Sequence, residues 1–140
     1  MQKNQITYLF GSKVYSEFRK KILLDQLKVI NSDIKDIHTV YLHVIESKKF
    51  IENKQHDRLI KILNYGISSS KNLNHENLVY IAPRVGTISP WSSRATDICH
   101  HCDIDILRIE RCKAIEFEFL SGKNISNKGK LKLAKFIFDQ

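Results

Sequence analysis

The sequence predicts an α+β fold: two pseudo-symmetric β-α-β-α halves that form a mainly antiparallel four-stranded sheet covered by helices. Three observations lead there. The order strand–helix–strand–helix occurs twice, at a spacing of about 70 residues, with no evident identity between the copies. A small polar stretch, Ser68-Ser69-Ser70-Lys71-Asn72, lies between them. Each half alone has too few strands to be stable, so the two are expected to build one sheet. The expected division is a domain over residues 1–120, with halves of about 1–67 and 76–120. Residues 121–140 are expected to be a basic tail or the start of a linker helix.

The elements follow from local pattern. Ile6-Thr7-Tyr8-Leu9-Phe10 is β-rich and stops at Gly11-Ser12. From Tyr15 to Ile30 the apolar residues Phe18, Ile22, Leu23, Leu27 and Ile30 fall at helical spacing. Ser12 or Ser16 supplies the N-cap oxygen, and Asn31-Ser32-Asp33 ends the helix. Ile37 to Ile45 alternates, which predicts a half-buried strand with Val40, Leu42 and Val44 on one face and Thr39, Tyr41, His43 and Ile45 on the other. Asn53 is expected to cap a second helix carrying Leu59, Ile60, Leu63 and Tyr65, with Gly66 just past its last turn. In the second half, Leu78-Val79-Tyr80-Ile81 is a strand halted by Pro83, and a short helix runs from Ser92 to His101. A long strand lies within Ile104–Phe119, where Glu116 and Glu118 alternate with Phe117 and Phe119 and are expected to face solvent. Leu131, Leu133, Phe136 and Ile137 suit a final helix.

Composition narrows the function. The net charge is +8, but residues 121–140 hold five lysines against Asp139, a net of +4, and the rest is spread over 120 residues. Scattered lysines without interleaved aromatics describe a solvated surface, so no nucleic-acid partner is expected. No apolar run approaches the roughly 20 residues of a membrane-spanning helix. The N-terminus, Met1-Gln2-Lys3-Asn4-Gln5, shows no secretory signal. Cys99, Cys102 and Cys112 are an odd number and are expected to be reduced thiols in a cytoplasmic protein.

The segment Ala82–Ile98 stands apart. It holds both prolines, the only tryptophan and a glycine-containing turn. Pro83 and Pro90 fix φ, and Gly86 permits conformations other residues resist. Ser92 or Ser93 then opens a helix whose free N–H groups favour an anion, with Arg84 and Arg94 adding charge at each end. One reading is a rigid loop that recognises an anion or docks on a partner. The other is a strand-to-helix connection whose serines only cap the helix. The residues of interest are Arg84, Gly86, Thr87, Ser89, Pro90, Trp91, Ser92, Ser93, Arg94, Thr96 and Asp97.

The run Arg84-Val85-Gly86-Thr87-Ile88-Ser89-Pro90-Trp91-Ser92-Ser93-Arg94-Ala95-Thr96-Asp97-Ile98 resembles the R-P-G-T-I-S-P-W-S-S-K-A-T-D-I segment of the large single-chain bacterial phosphoribosylformylglycinamidine synthases. Four further stretches agree. Gly11-Ser12 with Ser16-Glu17-Phe18-Arg19 resembles that family's opening G-S…S-x-F-R, and Tyr41-Leu42-His43-Val44 its Y-x-H-F/V strand. Leu59 to Gly66 is similar to its L-x-x-L-L-x-Y-G helix end, and Ile109-Glu110-Arg111-Cys112 to its L-E-R-G strand. The resemblance spans about residues 9–119.

The resemblance implies the N-terminal domain of a de novo purine-pathway enzyme. That enzyme also has a linker, a synthetase body that binds ATP and magnesium, and a C-terminal glutaminase. It converts formylglycinamide ribonucleotide to the amidine with ATP and glutamine. The implied role is docking and coupling, with the synthetase and glutaminase domains of the same enzyme as partners and the Gly86–Asp97 loop at the contact. The alternative is a stand-alone phosphate- or nucleotide-binding or interaction module without catalysis. Val85 stands where the family has proline, Arg94 where it has lysine and Cys112 where it has glycine. From Gly122 on nothing matches. The family's glutaminase Cys-His-Glu set and nucleotide site have no counterpart here, so no catalytic residue is carried over. No cofactor is expected in this chain; ATP and magnesium belong to the full-length enzyme by resemblance.

The remaining constellations are weaker. Cys99-His100-His101-Cys102 has metal-like residue types, but on a helix the two thiols share a face that the histidines leave, so no metal is expected. Cys99 with His43 or His75 lacks an orienting third group. His38 and His56 read as surface or strand residues.

Overall fold

The computed structural model describes residues 3–66, 73, 75–83 and 87–138. The linker expected at Ser68–Asn72, and Arg84 and Gly86 of the loop, lie outside these residues. The elements are β1 (Gln5–Lys13), α1 (Glu17–Ile30), β2 (Ile34–Ser47), α2 (Asn53–Ile62), β3 (Leu78–Ile81), α3 (Pro90–His101), β4 (Arg108–Phe119) and α4 (Asn127–Phe138). The strands form one four-stranded sheet in the order β1-β2-β4-β3, and the expected α+β class with an antiparallel sheet holds. No described helix is long and apolar enough to cross a membrane.

The chain divides into two compact units, and each draws on both sequence halves. The first comprises Met1–Ser12, Tyr41–Ser68 and Ala82–Cys112; the second comprises Lys13–Val40, Ser69–Ile81 and Lys113–Gln140. The long strands β2 and β4 each contribute one segment to each unit.

In the first unit, Ile45, Leu59, Leu63, Ala95, Cys99, Ile104, Ile106 and Ile109 form the core under α2 and α3. Burying one such aliphatic side chain contributes about 1.5–3 kcal/mol. The end of α3 is fixed by a Schellman motif. Asp103 takes φ 57°, its N–H bonds to the His100 carbonyl (3.1 Å), and the Ile104 N–H reaches the Cys99 carbonyl (2.9 Å). The accompanying apolar contact is Ile104 with Cys99, both core residues. Arg58 of α2 donates to the Cys102 carbonyl at 3.1 Å, tying the two helices together there.

In the second unit, Leu23 and Leu27 of α1 pack with Ile34, Ile37, Val79, Ile115, Phe117, and Leu133 and Ile137 of α4. The segment expected as a basic tail or linker start is therefore a helix whose apolar side belongs to a core. Ser126 caps it, its Oγ accepting from the Gly129 N–H at 3.1 Å. Ser16, one of the two expected caps of α1, accepts from the Arg19 N–H.

Several expectations need correcting, for identifiable reasons. Phe18 and Ile22 of α1 and Leu131 of α4 are exposed, because helical spacing also admits residues flanking the buried stripe. The strand β2 is not half-buried: Thr39, His43 and Ile45 on one face and Val40 and Leu42 on the other are all buried. Glu116 is 2% exposed rather than facing solvent. Both strands are interior in the sheet order, where side chains on flanking strands crowd each position, and alternation alone does not register that. Glu52, without a side-chain bond, occupies the N-cap position of α2 in place of Asn53, and the helix ends at Ile62 with Leu63 as its C-cap, so Gly66 does not follow directly on the last turn. Gly66 instead meets Ser12, whose Oγ would lie 2.9 Å from an added Cβ.

Candidate functional site

The helix α3 begins two residues before its expected start. Ser89 is the N-cap, its Oγ accepting from the Ser92 N–H at 3.1 Å, and Pro90 takes the first helical position, where its missing N–H costs nothing. Ser89 Oγ in turn donates to the Glu110 carboxylate at 2.8 Å. Arg108 lies 3.0 Å from the same carboxylate and also donates to the Thr87 carbonyl at 3.1 Å. Burial would raise the Glu110 carboxyl, but the Arg111 N–H, the Ser89 hydroxyl, Arg108 and the Ser89 N–H together hold it below its ordinary value. The start of α3 thus already faces a protein carboxylate, which answers its free N–H groups and dipole.

The hydroxyls inside the motif are structural. Strand β3 pairs antiparallel with β4 only from Leu78 opposite Glu116 to Ile81 opposite Lys113. Farther along β4, α3 takes over the bonding of Ile109. Ser92 Oγ donates to the Ile109 carbonyl at 2.6 Å, and Thr96 Oγ1 accepts from the Ile109 N–H at 3.2 Å. Residues 92 and 96, one turn apart, share a helix face and present both hydroxyls to one strand residue.

Beside this junction an aromatic stack encloses a cation. The Arg111 guanidinium lies 4.5 Å from the Tyr41 ring centroid, 4.7 Å from that of Trp91 and 5.9 Å from that of Tyr65. Each cation–π contact contributes about 0.5–2 kcal/mol, more as water is excluded. His43 lies behind, its ring edge-on to Tyr65 at 5.6 Å and 5.7 Å from Trp91. Its Nδ1 is 3.1 Å from the Leu9 carbonyl and its Nε2 2.6 Å from the Tyr65 hydroxyl. A carbonyl only accepts, so Nδ1 carries the proton and Nε2 accepts from Tyr65. Burial pushes the His43 imidazole down to about 4; the Leu9 carbonyl pulls upward and the Arg111 charge downward. The ring is therefore neutral near pH 7. Burial raises the Tyr65 hydroxyl, and its hydrogen bond with Arg111 opposes that. The cluster is a cationic, partly exposed wall.

The structure brings together Ser89, Trp91, Ser92 and Thr96, whose side chains point inward. It leaves Thr87, Pro90, Ser93, Arg94 and Asp97 exposed. Ile88 and Ile98 beside them are 64% and 50% exposed. Positions 90, 94, 97 and 98 recur along one outward stripe of α3. Of the other constellations, Cys99 is buried in the core and its thiol is pushed up to about 11 by burial, with Cys102 adding to the shift. Both nitrogens of His43 are engaged elsewhere, so no Cys–His pair forms with it. His100 turns to the Ile106 carbonyl at 2.7 Å.

The residues of the stack come from stretches far apart in the sequence, yet each lies in a resemblance motif: Tyr41 and His43, Tyr65, Trp91, Arg111. A family model for the formylglycinamide ribonucleotide amidotransferase N-terminal region matches residues 40–140. The chain belongs to this family. The match runs from within β2 to the end of the chain, so it takes in every residue of the stack and also α4, which corrects the expectation that nothing matches from Gly122 on. A formylglycinamide ribonucleotide amidotransferase is a purine-biosynthetic enzyme, and this chain is an N-terminal domain of that kind. Sequence reasoning did not assign Tyr41, Tyr65 and Arg111 a site. The available signal was an aromatic or cationic residue in each motif; what joined them was the placement of β4 beside β2.

Proposed function

We propose that this chain is the docking and coupling domain of the amidotransferase, seating on the synthetase domain through the outward stripe of α3. In this reading the full enzyme amidates formylglycinamide ribonucleotide with ATP and glutamine. ATP, magnesium and the reacting groups belong to the synthetase and glutaminase domains. The observation that carries the reading is the division of labour on α3. Ser89, Trp91, Ser92 and Thr96 lock the helix to β4. Pro90, Ser93, Arg94 and Asp97, with Ile88 and Ile98, are held rigidly outward. A contact surface fixed in advance loses little conformational entropy on binding.

The alternative, a phosphate held by Ser92, Ser93 and Arg94, has less support. Ser92 Oγ is buried and donates to the Ile109 carbonyl, and Glu110 faces the helix start. Calorimetry separates the two readings. The chain is titrated with the ribonucleotide substrate, and separately with the remainder of the enzyme as its own polypeptide. Docking predicts heat only with the polypeptide, weakened about tenfold or more by Arg94→Glu without a change in melting temperature. Saturable heat with the ribonucleotide alone, or glutamine-dependent turnover by the chain alone, would refute it.

A further inference from the structure

We propose that Asp36, His38 and Glu118 form a binding site for a single divalent transition ion of the zinc type. The site lies in the second unit and stands apart from the docking reading. Asp36 and His38 are two residues apart on β2, so they project from the same face. Glu118 lies on β4, the next strand in the sheet. The three donor atoms all fall within 4.8 Å of one another.

The geometry is that of ligands converging on a common point. His38 Nε2 is 3.2 Å from Glu118 Oε1 and 3.8 Å from Asp36 Oδ2. It is a buried nitrogen atom that nevertheless makes no hydrogen bond. The distance to Glu118 would suit one; the direction does not. An ion that binds ligands at about 2.0–2.2 Å in a tetrahedron spaces its donors by roughly 3.3–3.6 Å, between the two observed separations.

Asp36 is oriented for this role. Its Oδ1 accepts from the Ile37 N–H at 2.8 Å and lies 3.4 Å from Lys20 Nζ, while Oδ2 turns toward His38. Outer contacts of this kind fix a ligand's orientation in metal sites. The donor set also selects the ion. One imidazole and two carboxylates suit zinc and its neighbours, whereas calcium takes six to eight oxygens. Three protein ligands leave a fourth position for water. The side chains are 23–39% exposed, so an ion can reach them from solvent.

The test uses the full chain stripped of metal. Zinc is titrated by calorimetry, and cobalt(II) is followed by absorption. The expected result is one ion per chain and a cobalt spectrum with ligand-field bands but no thiolate charge-transfer band. His38→Gln and Asp36→Asn should each weaken zinc about tenfold or more. Should either variant fail to fold, Glu118→Gln provides the same readout. The proposal is overturned by any of three results: no saturable uptake, unchanged affinity in the folded variants, or loss of binding with Cys102→Ser instead, which would place the ion at the end of α3. An ordinary contact of His38 with the two carboxylates, without a place for an ion, gives the first of these.

Discussion

Replacing Ser92 by alanine tests whether the motif on α3 holds β4 in place. Ser92 is fully buried, donates to the Ile109 carbonyl at 2.6 Å and receives Arg108 Nε at 3.3 Å. The alanine variant leaves that carbonyl without its partner where water does not reach, at a cost of about 1–3 kcal/mol. Thr96→Val keeps the shape of the side chain and strips the Ile109 N–H of its acceptor, for a similar cost. In a domain of this size each kcal/mol lowers the melting temperature by roughly 3–5 °C. Because both hydroxyls serve one residue, the double variant should lose less than the sum of the two. Thermal and urea unfolding measure all three. At a temperature where it remains folded, Ser92→Ala should dock normally, whereas Arg94→Glu should do the reverse: normal melting, weak docking. A Ser92→Ala protein within about 0.5 kcal/mol of wild type would refute the reasoning, since a buried carbonyl that loses nothing was never held by that hydroxyl.

Two further outcomes follow from the stack. A Cβ added at Gly11 would lie 2.5 Å from His43 Cε1, and that ring is pinned by Leu9 and Tyr65. Gly11→Ala should therefore cost about 1–3 kcal/mol by urea unfolding, and the cost should largely vanish in a His43→Ala background. His43 is held near 4 in the folded chain against 6.5 when free, so between these values the unfolded chain binds the extra proton. Its contribution is fully present above about pH 6.5 and is lost as the pH falls toward 4, a loss on the order of 3 kcal/mol at most. His43→Gln should flatten that part of the stability-against-pH curve; an unchanged slope would show that the ring titrates normally.

How much of this was legible in the sequence depends on the kind of information each feature needs. Strand and helix order needed only local periodicity, and the order read from it is the order observed. Alternation also set Tyr41 and His43 on one face of β2, two of the five residues of the stack. It failed where burial depends on a neighbour: Glu116 alternates with Phe117 as a solvent-facing residue would, yet it sits on an interior strand. Cap positions failed for a related reason. Ser89, Ser92 and Ser93 are equally good N-caps as residues. What decides between them is that Glu110, twenty-one positions later, receives the Ser89 hydroxyl, while Ile109 takes that of Ser92. The division into units was legible only in part: the cuts after Ser12, Ser68 and Ile81 fall at Gly11-Ser12, in the polar stretch Ser68–Asn72 and just before Pro83, whereas those after Val40 within β2 and after Cys112 within β4 leave no polar or glycine-rich mark in the sequence.

The same dependence on neighbours changes what the motif means. Read along the chain, Ser92, Ser93, Arg94 and Thr96 form one run of polar residues at a helix start, and an anion site is the natural inference. Helical geometry splits that run by direction. Ser92 and Thr96 turn toward Ile109 and behave as substitutes for a missing strand, while Ser93 and Arg94 turn out. Trp91 joins the inward set, packing against the aliphatic core while its ring also closes over Arg111, so the anchoring side ends in a half-exposed cation. A helix fastened at its start by a carboxylate, along its inner face by two hydroxyls and beside them by a stacked guanidinium has little freedom left. That rigidity is the property a docking surface needs, and it is why the inward residues should govern stability while the outward ones govern association.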